Sequence, residues 1–161
     1  MPEERKKVYV ETSVVSNLTA RRSYNLIDAA RQVATQAWWD EAFSCYALFS
    51  SLLVEREAAK GDQEAADRRM GVVRLLEQLP ITKDAEVLAE KLLEATAVPR
   101  TSYEDAVHIA IAAVNEMDFL VTWNCKHIAN AVTMPKIYET CRRNGFRCPL
   151  ICTPEQLMRE V

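Results

Sequence analysis

The feature that most constrains the fold of this chain is a recurrence of short apolar runs, each followed by a stretch of helical periodicity. The runs are Lys7–Val10, Cys45–Ser50, Leu79–Thr82, Phe119–Trp123 and Pro149–Cys152. They are short and rich in apolar residues rather than strictly alternating, which is the pattern of strands covered on both faces. Between them the periodicity predicts helices over roughly Tyr24–Ala42, Leu52–Lys60, Gln63–Gln78, Ala85–Ala95, Tyr103–Asn115 and Lys136–Asn144. Strands that alternate with helices call for an α/β fold with a mainly parallel sheet. The 161 residues contain no repeat, low-complexity tract or linker, so 1–161 reads as one domain.

Local signals mark several boundaries. Asp62 after Gly61 is an expected N-cap, and Gly145 an expected helix stop. Thr153-Pro154-Glu155-Gln156 has the order of a capping box opening a last short helix. The formal charge of −3 argues against a protein that coats nucleic acid or anionic membrane by bulk charge. With no apolar run of membrane-spanning length and no signal-peptide pattern, the expected location is the cytoplasm. The five cysteines, irregularly spaced, read as reduced thiols.

In open parallel sheets, sites form beyond the carboxyl ends of the strands. Glu11 directly follows Val8-Tyr9-Val10, and Asn124 terminates the run Phe119–Trp123. Two further acidic positions come from helices. Glu55 and Glu57 lie on the stretch after the second strand, where Leu53 and Glu57 share a face, so Glu57 tilts toward the core. Asp105 opens an apolar helix and stands at capping-box spacing from Ser102, so capping is its bland explanation. His108, one turn on, reads as a hydrogen-bonded core histidine. Taken together, three acids and a strand-end amide are the oxygen donors that Mg²⁺ or Mn²⁺ accepts. Such ions activate water and offset charge in phosphodiester hydrolysis. With only three glycines, neither a phosphate-cradling loop nor a dinucleotide turn can be built.

The order Glu11-Thr12-Ser13, Glu57, Asp105-Ala106-Val107-His108-Ile109-Ala110 and Thr122-Trp123-Asn124 resembles the PIN domain, and within it the VapC-type toxins. The resemblance runs from Val8 to Asn130. It implies a three-layer α/β/α sandwich and a Mg²⁺- or Mn²⁺-dependent endoribonuclease that is the toxin of a toxin–antitoxin pair. By position, Glu11, Glu57 and Asp105 match the three acids and Asn124 the T-x-D/N position. The implied metal ligands are Glu11, Asp105 and Asn124, and Thr12, Ser13 and Thr122 match supporting hydroxyls. The implied partners are RNA, an antitoxin protein and a second copy of the chain. Glu11 replaces the usual aspartate and Asn124 lacks a charge, so a second reading is a weakly active or inactive scaffold that binds RNA or protein. Arg21, Arg22, Lys126 and Trp123 are the residues expected to contact RNA.

Overall fold

The computed structural model describes residues 3–158. Five strands, β1 (Lys7–Val10), β2 (Ala47–Ser51), β3 (Glu77–Leu79), β4 (Phe119–Val121) and β5 (Leu150–Cys152), form one all-parallel sheet in the order β3-β2-β1-β4-β5. β1 is the middle strand, with Tyr9 in register with Phe49 on one side and Leu120 on the other. The helices are α1 (Thr12–Thr19), α2 (Leu26–Cys45), α3 (Leu52–Ala58), α4 (Gln63–Val73), α5 (Lys83–Glu94), α6 (Tyr103–Val114) and α7 (Met134–Arg143). A 3₁₀ turn, Pro154–Leu157, follows β5. Helices α1 to α4 pack among themselves, and α5 packs on α6 and α7. These groups are the outer layers of an α/β/α sandwich, as expected for a sheet whose strands are buried on both faces. No helix among the described residues is long and apolar enough to cross a membrane.

The core explains the element choice. Val8, Tyr9 and Val10 are wholly buried, as are Leu120 and Val121 beside them. In α6 every residue from Ala106 to Ala113 is buried, which its small alanines make feasible. Gly145 ends α7 at φ 86°, a left-handed position that glycine adopts without steric cost, and Phe146 N–H closes the helix onto Cys141 O at 2.9 Å. Asp62 caps α4 through Ala65 N–H, and Gln156 accepts from Thr153 N–H at 2.9 Å as the capping-box order predicts.

The largest differences from the sequence expectation are in the third strand, the helix before it and the first helix. The third strand is Glu77–Leu79 rather than Leu79–Thr82. Pro80 has no N–H for the ladder, and Thr82 instead caps α5 through Ala85 N–H. The fourth helix accordingly stops at Val73. Helix α1 was not expected at all. Its sequence, TSVVSNLT, is rich in β-branched and hydroxyl residues of low helix propensity, and its N-cap is Glu11, outside the usual Ser, Thr, Asp and Asn.

Candidate metal and nucleic-acid site

The strand order reverses at β1: the chain moves to β2 and β3 on one side and to β4 and β5 on the other. This topological switch opens a crevice at the carboxyl ends of β1 and β4. Glu11 N–H donates to Val121 O at 3.1 Å, fixing Glu11 and the Thr122–Asn124 segment at one mouth.

Glu11 is 5 % exposed and held by donors only. Its Oε2 accepts from Ser13 N–H at 2.9 Å, which makes it the cap of α1. Its Oε1 accepts from Ser13 Oγ and from Thr122 Oγ1, both at 2.5 Å. The longer side chain thus folds back over its own helix start while its carboxylate stays at the mouth. Thr122 Oγ1 also accepts from Asn124 N–H at 2.9 Å, and Ser13 Oγ accepts from Trp123 N–H at 2.8 Å. Both supporting hydroxyls therefore tie β4 to α1.

Glu57 arrives from α3, on the other side of β1. Its Oε1 accepts from Thr12 Oγ1 at 2.7 Å and lies 2.5 Å from His108 Nε2 on α6. His108 is 1 % exposed, and its Nδ1 lies 2.7 Å from the Tyr9 hydroxyl, which lies 2.8 Å from Ser51 Oγ. Burial alone raises the Glu57 carboxyl, but the His108 hydrogen bond and charge, with the Thr12 hydroxyl, bring it below its ordinary range. Burial likewise depresses His108, and the bond to Glu57 with the charges of Glu11, Glu57 and Asp105 outweighs it, leaving the imidazole raised. Both shifts favour an imidazolium–carboxylate pair, wholly buried at His108 and half-buried at Glu57, joined across the end of the sheet between the two helix layers. Tyr9, buried, is pushed well above its usual range and stays a neutral phenol.

One oxygen from Glu11, one from Glu57 and one nitrogen of His108 lie within 4.8 Å of one another. The Glu11 and Glu57 carboxylate oxygens are donors that Mn²⁺ and Mg²⁺ accept, while His108, with Nε2 bonded to Glu57 and Nδ1 to Tyr9, is their hydrogen-bonding neighbour and not a ligand. Glu57 Oε2 accepts no hydrogen bond, and the three donors on Glu11 leave part of its four-lone-pair capacity open. The residues present therefore fit a divalent cation.

The remaining expected residues fall around this group. Asp105 lies outside the 4.8 Å cluster: Oδ1 accepts from Asn124 Nδ2 at 3.0 Å, and Oδ2 lies 2.8 Å from His127 Nδ1. The expected Ser102 cap is absent; Ser102 Oγ lies 3.2 Å from His127 Nδ1 instead. Asn124 Oδ1 accepts from His127 N–H at 3.0 Å, so its amide braces Asp105 with both ends engaged. Of the two helix glutamates, Glu55 hydrogen bonds to Gln78 and Glu57 joins the cluster.

Among the residues expected to contact RNA, Lys126 and Arg22 are exposed, and Arg21 pairs with Glu64 at 2.9 Å. Trp123 is 8 % exposed, donates from Nε1 to Thr35 Oγ1 at 2.7 Å, and lies beneath the Arg31 guanidinium, so it serves as a packed link between α2 and β4. Tyr9, Ser51 and His127 were missed in the sequence. Tyr9 sits inside an apolar run that reads as core, and His127 has no periodic relation to Asp105 in the chain.

No family model matches the chain, and no curated protein matches it. Solved structures do. The crystal structure of Mycobacterium tuberculosis VapC20, a Sarcin-Ricin loop cleaving toxin, aligns with a TM-score of 0.55 and 19% identity over 70% of this chain and 86% of that one. VapBC2 from Rickettsia felis, solved bound to a DNA fragment from their promoter, aligns with a TM-score of 0.58 and 11% identity over 91% of this chain and 98% of that one. The parallel five-stranded sheet, the switch-point mouth and these likenesses agree on one architecture: the chain has the PIN-type fold of the VapC toxins.

Proposed function

We propose that the chain is a Mg²⁺- or Mn²⁺-dependent endoribonuclease that hydrolyses RNA phosphodiester bonds, acting as the toxin of a toxin–antitoxin pair in the cytoplasm. The observation that carries this reading is the convergence of Glu11, Glu57 and His108 within 4.8 Å at the switch point of a VapC-like fold. In this reading Glu11, Glu57 and Asp105 are the catalytic carboxylates, with Asn124 as their strand-end amide. Glu11 and Asp105, with Asn124, are the ligands the family resemblance implies; the cluster adds Glu57 to the groups able to hold the ion, with His108 bonded to its Oε1. A divalent cation held there supplies a water of lowered pKa and offsets charge on the phosphoryl oxygens.

The chain's own residues prepare that chemistry. Thr12, Ser13 and Thr122 fix the two carboxylates by donating to them, so little rearrangement is needed on loading. His108 neutralises part of the acidic charge and holds Glu57 by one oxygen. The Asn124 and His127 contacts to Asp105 keep a third carboxylate at the rim. Lys126 and Arg22 are the exposed cations we assign to phosphate contacts. VapC20 is a toxin by its own description, which supports the toxin reading; an antitoxin and a second copy of the chain are the partners we assign.

The second reading is a scaffold that binds RNA or protein without cutting. It is favoured by Asp105, both of whose oxygens are engaged by neighbouring side chains. The test compares wild type, Asp105→Asn and Glu57→Gln on single-stranded and structured RNA with Mn²⁺, Mg²⁺ or chelator. Cleavage that needs metal and vanishes in both folded variants is the expected result. A well-folded, partner-free protein that cuts nothing under any condition supports the scaffold.

A further inference from the structure

One helical turn from the Glu57–His108 pair lies a cavity that hydrolysis itself does not use. It has a volume of ≈ 360 Å³ and is lined by Leu52, Arg56, Ile81, Glu86, Tyr103 and Glu104. Its walls are the same two helices that carry the site. Leu53, also at its surface, is four residues before Glu57 on α3, and Glu104 is four residues before His108 on α6. Residues four apart share a helix face about 6 Å apart, so the cavity and the acid cluster are neighbours along one mouth.

The chemistry of the lining narrows the occupant. Arg56 and Glu104 face one cavity yet form no ion pair or hydrogen bond with any described residue. Glu86 has only a 3.9 Å contact with the exposed Lys83. Tyr103 is 38% exposed, which leaves part of its ring open. Carboxylates outnumber the single guanidinium, and this disfavours a phosphate in the cavity. A flat ring bearing N–H donors on one edge and acceptors on another is favoured.

Among the RNA bases, guanine fits this set best. Its N1–H and N2–H₂ stand side by side and suit one carboxylate, while O6 and N7 suit a guanidinium. Uracil has a single N3–H between two carbonyls that a carboxylate repels. Adenine and cytosine each offer one amino donor beside an acceptor. Unstacked bases in RNA are held by such edge contacts together with stacking on aromatic rings. We propose that the cavity receives a guanine base adjacent to the cleaved phosphodiester, with Glu104 accepting from its Watson–Crick edge, Arg56 donating to O6 and N7, and Tyr103 stacking on the ring. The assignment of the RNA to this mouth rests on the nuclease reading above.

Two measurements test it. The first maps cut sites in a randomised single-stranded RNA pool for wild type, Glu104→Ala and Tyr103→Ala, none of which alters the acid cluster. Guanine enriched at one fixed position beside the cut, falling about tenfold in Glu104→Ala while total cleavage persists, is expected. Metal-dependent cleavage without base preference, or with a guanine preference unchanged in both variants, overturns the guanine site and leaves the nuclease reading standing. The second measures binding in chelator of fluorescein-labelled RNA heptamers carrying one guanosine or, in its place, inosine, which lacks the N2 amino group. Binding about tenfold weaker for inosine in wild type and equal in Glu104→Ala sustains the site even if nothing is cut. Equal affinities in wild type, or no RNA binding, refute it; the former is also the result expected if the cavity serves a side chain of a protein partner.

Discussion

Replacing Tyr9 by phenylalanine tests the buried relay that holds the Glu57–His108 pair. With His108 charged, both ring nitrogens carry protons. Nε2–H then donates to Glu57 Oε1, and Nδ1–H donates to the Tyr9 hydroxyl at 2.7 Å. That hydroxyl passes its own proton to Ser51 Oγ at 2.8 Å, while Ser51 Oγ also accepts from Val54 N–H at 3.2 Å. Tyr9, Ser51 and His108 are buried, so no water replaces the deleted hydroxyl. Tyr9→Phe preserves the ring and removes the acceptor of a charged donor, at a cost of about 1.5–3 kcal/mol, and breaks a neutral bond worth about 1 kcal/mol. The expected loss is therefore about 2–4 kcal/mol. With a urea dependence of about 2 kcal/mol per molar, the unfolding midpoint in chelator falls by about 1–2 M with unchanged slope.

The same reasoning predicts strong coupling. Once His108→Gln has removed the charged donor, Tyr9→Phe should cost clearly less than in wild type, giving a coupling of about 1 kcal/mol or more. A midpoint shift below about 0.3 M, or costs that add within about 0.5 kcal/mol, would refute the relay.

Two further outcomes follow from the same groups. The folded-state value of Glu57 lies below 4.5, so its contribution is present above pH 4.5 and lost as pH falls through the lowered value. That of His108 lies above 6.5, so its contribution is complete below pH 6.5 and lost as pH rises through the raised value. Melting temperature in chelator should therefore decline on the alkaline side in wild type and less steeply in His108→Gln; identical pH profiles would sink the ion pair. Mn²⁺ at a hundred times its dissociation constant should stabilise wild type by about 2.7 kcal/mol, or roughly 5–10 °C. Glu11→Gln and Glu57→Gln should lose that shift and Glu55→Gln keep it, as read by thermal melting; a full shift in Glu57→Gln would place the ion elsewhere.

How far the sequence reached depended on whether the determining contacts were local. β1, β2, β4 and β5 showed through because they are mostly apolar runs set into the core, and β1 matches at its full length; β3, with Glu77 and Gln78 exposed, was reached only at Leu79. Helix α1 did not show, because its start is set by Glu11 reaching back to Ser13 N–H, a cap that residue preferences do not anticipate. Helix phase and the family resemblance favoured Glu57 over Glu55 without settling the choice, since Leu53 and Glu57 share a face of α3. Asp105 misled in the opposite sense. Its spacing from Ser102 suggested a cap, yet its partners are Asn124 and His127, 19 and 22 residues further on, where no local pattern links them. Trp123 beside Asn124 suggested a base contact, and the Thr35 hydroxyl that claims its indole lies 88 residues away.

The position of the cluster follows from the order of the strands more than from any single motif. Because β2 and β4 flank β1, α3, which leaves the carboxyl end of β2, and α6, which starts beside Asn124 beyond the carboxyl end of β4 and runs toward that strand's amino end, meet over the end of β1. Glu57 on α3 and His108 on α6 therefore come to share a hydrogen bond although 51 residues separate them. Glu11, emerging between them, completes the group without a helix of its own to position it, and it is anchored instead by capping the helix that follows. Its cap uses Oε2 for one backbone donor, while Oε1 takes two hydroxyls, one from each neighbouring segment. An acid that caps α1 cannot move without releasing Ser13 N–H, so the strand end gains a rigid carboxylate where a surface side chain would have to be ordered on binding. The same cap explains why this acid lies directly after a buried strand: Ser13 N–H, left unpaired at the start of the new helix, is the backbone donor that holds it.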